Sequence, residues 1–103
     1  MDGLTVGRVV HYVLSASDAQ EINKLHEAAN IPLDERVPGI QYHTGNHVEA
    51  GDHCAMVVTR VWSSDIGLIN GKVLLDGMDD YWATSRSFSD EKKPSSWHWI
   101  EKA

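Results

Sequence analysis

The run Cys54-Ala55-Met56-Val57-Val58-Thr59-Arg60-Val61-Trp62 constrains the fold most. It is dense in β-branched and aromatic residues, with turn formers on both sides: Gly51-Asp52 before it and Ser63-Ser64-Asp65 after it. Such a run reads as a strand. Simple alternation puts Met56, Val58, Arg60 and Trp62 on one face and Val57, Thr59 and Val61 on the other. The chain supplies further strands to pair with it. Val6–Leu14 is β-branched and apolar on both faces, as in a central strand. Asn70-Gly71 is a hairpin-turn dipeptide and is expected to join Ile66–Ile69 to Lys72–Leu75. Tyr81–Phe88 reads as a strand with Trp82, Thr84 and Arg86 on one face, and Trp97–Ile100 as a short closing strand.

One helix interrupts this pattern. Ser17 followed by Gln20 fits a capping box, and Ala19, Ile22, Leu25, His26 and Ala29 recur at helical spacing, which predicts a helix over residues 17–29. Residues 31–52, with Pro32, Pro38, Gly39, Gly45 and Gly51, read as irregular. Five or six short strands with one early helix predict a mainly β domain spanning 1–103. It is either a small, strongly curved sheet or a partly open, SH3-like barrel.

Composition narrows the function classes. Nine Lys+Arg against fifteen Asp+Glu give a net charge of −6, whereas duplex-binding proteins carry a basic face. No nucleic-acid polymer is therefore expected as a partner. No apolar run reaches the roughly 18 residues of a membrane span, and no secretory leader is recognisable. Cys54 is the single cysteine, which fits a reducing, cytoplasmic setting. At the head of an apolar strand it reads as a small buried hydrophobe rather than a nucleophile.

Six histidines raise the question of a metal. His43 and His47 are four apart, but across Gly45 in a loop, and His53 precedes Cys54. No Cys-x-x-Cys, His-Glu-x-x-His or calcium-loop pattern is present. No metal and no cofactor is expected. Asp76, Asp79 and Asp80, with Glu49 and Asp52, have turn spacing, for which backbone hydrogen bonding is sufficient reason. More informative is the pairing of aromatic rings with arginine. Indoles stack on nucleobases and guanidinium forks hold phosphate. Tyr42, His43, Asn46 and His47 in the polar loop, with Arg60, Trp62, Trp82 and Arg86 on strands, are the candidate contacts for a small nucleotide.

The stretches VGRVVHYVLS, GNHVEAGD, VVTRVW, NGKVLLDGMDDYWATS and WHW run in order from about Leu4 to Trp99. They resemble a family of small proteins encoded by bacteriophages and prophages. The resemblance implies an anti-defence role in the cytoplasm of an infected host. There the protein would sequester a nucleotide immune signal, a cyclic oligonucleotide or cyclic ADP-ribose type, without catalysis. A phage structural or host-protein interaction module is the alternative, and a small nucleotide hydrolase using histidines is a third. Nanomolar capture needs about −12 kcal/mol, more than a shallow surface gives, so a homo-oligomer with shared walls is expected. Trp97 and Trp99, on one face of the last strand, are the expected subunit contact. The competing account has both rings folded inward.

Overall fold

The structure is a computed structural model, and it describes residues 1–28 and 45–101. Five strands and one helix follow in the order β1 (Val9–Val13), α1 (Ala16–Ala28), β2 (His53–Ser63), β3 (Leu68–Leu74), β4 (Asp80–Arg86) and β5 (Trp97–His98). The strands form one antiparallel sheet, β4-β3-β2-β1-β5. The sheet is open, so the fold is mainly β with one early helix, as expected, and its two edges do not join into a barrel. One parallel bridge, Phe88 to Trp97, ties the chain after β4 to β5.

The inner face carries the core. Val10, Tyr12, Met56, Val58, Ile69, Val73, Ala83 and Trp97 are fully or almost fully buried there, with Ala19 and Ile22 of α1 packed onto them. The helix begins at Ala16 because Ser15 caps it. The Ser15 hydroxyl accepts from the Asp18 amide at 3.0 Å, and the Asp18 carboxylate accepts from the Ser15 amide at 3.0 Å, a reciprocal capping box. The box therefore sits two residues before the expected Ser17/Gln20 pair. The buried stripe is Asp18, Ala19, Ile22 and His26, whereas Leu25 is 48% exposed.

Asn70-Gly71 is not a turn. It lies in the middle of β3, and the β2–β3 hairpin turns instead at residues 64–67, where Gly67 has φ +69°. Gly71 answers a packing need: a Cβ there would lie 2.5 Å from Met56 Cγ.

Register shifts decide which side chains face outward. Val58 pairs with Gly71 and Arg60 with Asn70, leaving Thr59 as an extra residue in β2, and Val61 pairs with Ile69 and Ser63 with Leu68, leaving Trp62 as another. An extra residue reverses the alternation beyond it. Met56 and Val58 point into the core, while Arg60 and Trp62 are exposed on the opposite face. The expected shared face of these four residues is thus broken at Thr59. In β4, Ala83 pairs with Gly71 and Arg86 with Ile69, so Thr84 and Ser85 together oppose Asn70. Ser85 adopts φ 53°. This bulge in β4 turns Arg86 inward while Trp82 remains outside.

Candidate functional site

The outer face of the sheet holds two groupings of chemically capable side chains. The first lies on β2, β3 and β4. Val9, Val57, Lys72 and Trp82 pair in one row across four strands. Trp82 is 60% exposed and Trp62 is 50% exposed. The Arg60 guanidinium sits over the Trp62 ring at 3.9 Å, a contact worth ~0.5–1 kcal/mol at such a surface. Asn70 organises the patch. Its Oδ1 accepts from the Trp62 indole N–H at 2.9 Å and from the Ser85 amide at 2.7 Å. One buried carbonyl oxygen thus fixes the Trp62 ring and satisfies the backbone of the bulge.

The second grouping lies toward β1, β2 and β5. His11 pairs directly with His98, and His53 follows on the neighbouring strand, paired with Val13. The His53 and His98 rings are 5.0 Å apart and the His11 and His98 rings 5.7 Å. All three converge on Glu101. Its Oε1 lies 2.5 Å from His53 Nδ1, 2.5 Å from His98 Nε2 and 4.0 Å from His11 Nδ1. Its Oε2 is 3.7 Å from the Lys92 ammonium. The imidazole of His98, then His53 and Lys92, hold the Glu101 carboxyl down at about 2. Burial lowers the pKa of His98 against the opposing pull of Glu101, so its ring tends to the neutral form. The three histidines escape a linear reading because the chain separates them by tens of positions and only the cross-strand register unites them; Glu101 lies three residues after His98.

The inner face has its own polar centre, with a different character. Asp18, 3% exposed, accepts from Tyr12 Oη at 2.6 Å and from Tyr81 Oη at 2.9 Å. Arg86 Nη2 lies 3.6 Å from its Oδ1, and the guanidinium also rests 5.6 Å from the Tyr12 ring centre. Burial alone would raise the Asp18 carboxyl. The Ser15 amide, the two tyrosine hydroxyls and Arg86 outweigh it and hold the carboxyl below its ordinary value. Burial and the Asp18 carboxylate push the Tyr81 phenol up to about 12.

Of the candidate nucleotide contacts, Arg60, Trp62 and Trp82 share the outer face. Arg86 does not join them, because the Ser85 bulge turns it toward Asp18. Asn46 and His47 are exposed but lie elsewhere. Asn46 donates to Asp76 Oδ2 at 2.6 Å, its carbonyl lies 3.1 Å from His26 Nδ1, and His47 meets Glu49 at 3.2 Å. Tyr42 and His43 lie outside the described residues. Lys72 is the cation that sequence reading missed; its register opposite Trp82 places it on the patch. Trp97 is fully buried, donates to the Gly67 carbonyl at 2.7 Å and meets Trp99 edge-on at 5.1 Å. Trp99 packs partly buried against the same core. The two rings fold inward as in the competing account, so Trp97 offers no surface to a second subunit. Cys54 is half-buried on the core side, and burial, then Asp52, raise its thiol pKa, which disfavours the thiolate.

No helix among the described residues is long and apolar enough to cross a membrane. Comparison with protein-family models, with the curated proteins and with the solved structures finds no match to this chain.

Proposed function

We propose that the protein binds a small nucleotide on its outer sheet face and sequesters it without chemistry, as an anti-defence protein that removes a cyclic nucleotide immune signal. The observation that carries this reading is the pair of exposed indoles, Trp62 and Trp82, on one face with Arg60 and Lys72. Large apolar rings left in water on an otherwise well-packed domain mark a contact surface. Indoles next to cations suit a ligand that is flat, aromatic and anionic. The overall charge of −6 repels a long polyanion, while two local cations serve a ligand with one or two phosphates.

An open face gives stacking but no walls. A second copy of the chain closing over the exposed indoles is the simplest source of them. The test is direct. The protein is incubated with cyclic di- and trinucleotides and with cyclic ADP-ribose isomers, freed of unbound ligand and heat-denatured, and the released small molecules are analysed. Intact release of one nucleotide is expected. Release of a converted product would make the protein a hydrolase, and retention of none would favour the protein-interaction alternative.

A further inference from the structure

We propose that His11, His53, His98 and Glu101 form a binding site for a first-row transition-metal dication such as Zn2+. Three imidazoles from three adjacent strands each approach Glu101 Oε1 within 4.0 Å on the outer face; His11 and His98 form the inner set with the carboxylate, and His53 joins it from the rim through Glu101 Oε1. The ligand atoms of His11, His98 and Glu101 all lie within 4.8 Å of one another. A dication bound by nitrogen and oxygen ligands at roughly 2.0–2.2 Å would replace the protons that now hold the rings to the carboxylate.

The donor set decides the metal class. Calcium and magnesium favour oxygen ligands, whereas imidazole suits zinc, copper, nickel and iron. The frame is built before any ion arrives. His11 and His98 are fixed by direct cross-strand pairing, and His98 is 3% exposed. Lys92 holds Oε2 of Glu101, which leaves Oε1 turned to the imidazoles. The Glu101 amide approaches His11 Nδ1 at 3.4 Å as a donor. That places the His11 proton on Nε2 and keeps Nδ1 unprotonated, its lone pair held by this long amide contact until an ion takes it. The side chains of His53 and Glu101 are 37% and 34% exposed, so an ion can enter from solvent. The site is independent of the nucleotide reading and stands or falls by itself.

The full chain, first stripped with chelator, would be titrated with Zn2+ at pH 7.5 by calorimetry and with Co2+ by visible absorption, beside His53→Gln, Glu101→Gln and His47→Gln. His53 and Glu101 are accessible enough for these changes to leave the fold intact, which circular dichroism checks. His47, exposed and outside the cluster, is the control. The expected result is one ion per chain, weakened at least about tenfold by His53→Gln and by Glu101→Gln and unchanged by His47→Gln. No stoichiometric binding at ~100 µM of either metal, a weak affinity by the usual scale, would overturn the proposal. So would binding that survives both cluster substitutions, or that is lost with His47→Gln.

Discussion

The two faces of this sheet treat their polar groups in opposite ways. On the inner face, Asp18 is buried and bonded by Ser15, Tyr12 and Tyr81, with Arg86 beside it. Its partners come from β1, β4 and the helix cap, and they lock those elements together. On the outer face, Trp62 and Trp82 are exposed, Lys72 meets Asp80 at 3.7 Å in an exposed ion pair, and the histidine cluster is open at His53 and Glu101. A buried charge without partners would be costly, so the inner groups had to be satisfied by the fold itself. Nothing in folding requires exposed indoles. The contrast marks the inner face as structural and the outer face as the one on which the proposed ligand would sit.

The strongest way to break this comparison is at Asp18. Asp18→Ala removes the carboxylate half of the capping box and the acceptor of two tyrosines, and leaves Arg86 without its charge partner. A loss of about 3 kcal/mol or more is expected in urea unfolding. A loss below ~1 kcal/mol, the worth of one ordinary hydrogen bond, would mean that the network does not hold the inner face together.

Asn70 joins the two faces, and its removal is the next largest effect. Asn70→Ala strands the Ser85 amide and frees the Trp62 indole, at an expected cost of about 1–3 kcal/mol. The Trp62 fluorescence should also shift as the ring loosens. An unchanged stability would show that the bulges at Thr59 and Ser85 are set by other contacts.

Acidification reaches His98 of the outer face first, while Asp18 of the inner face and Glu101 of the outer face both titrate in the acid range. The folded pKa of His98 lies below its ordinary value of 6.5. The unfolded chain therefore binds the extra proton first, and stability falls as pH drops below 6.5 toward the folded value. The Asp18 carboxyl is also depressed, from an ordinary 3.8. Its contribution is fully present above that value and is lost only as pH falls through the lower folded pKa. Urea midpoints measured from pH 7 to 3 should thus fall in two stages. His98→Asn should remove the first and leave the second. A single loss confined to the acid stage would contradict the placement of His98.

The smallest effect on stability belongs to Trp82. Trp82→Ala should change it by no more than about 0.5 kcal/mol, as expected for a surface position. The same substitution should weaken nucleotide binding by the ~1–3 kcal/mol of a stacked base. A large stability loss would place Trp82 in the structural half of the molecule.

Much of the fold was legible in the sequence because runs such as Cys54–Trp62 and the periodic stretch after Ser15 carry local signals. The site was less legible, for three physical reasons. Bulges at Thr59 and Ser85 reverse the alternation. The first broke the expected face of Met56 and Trp62, and the second sent Arg86 to Asp18. Asn70-Gly71 has the composition of a turn, yet Asn70 serves as a side-chain acceptor and Gly71 makes room for Met56. The histidine cluster depends on which strands are neighbours, and no spacing along the chain encodes that.

The most direct measurement of the central claim uses the indole N–H resonances of Trp62, Trp82, Trp97 and Trp99 in a nitrogen–proton correlation spectrum during titration with the nucleotide panel. Trp97, buried and bonded to the Gly67 carbonyl, reports the inner face; Trp62 and Trp82 report the outer. Binding on the outer face predicts that the Trp62 and Trp82 signals move with a saturable dependence on one nucleotide while Trp97 stays in place. Movement of Trp97 without Trp62 and Trp82, or no movement of any indole across the panel, would contradict it.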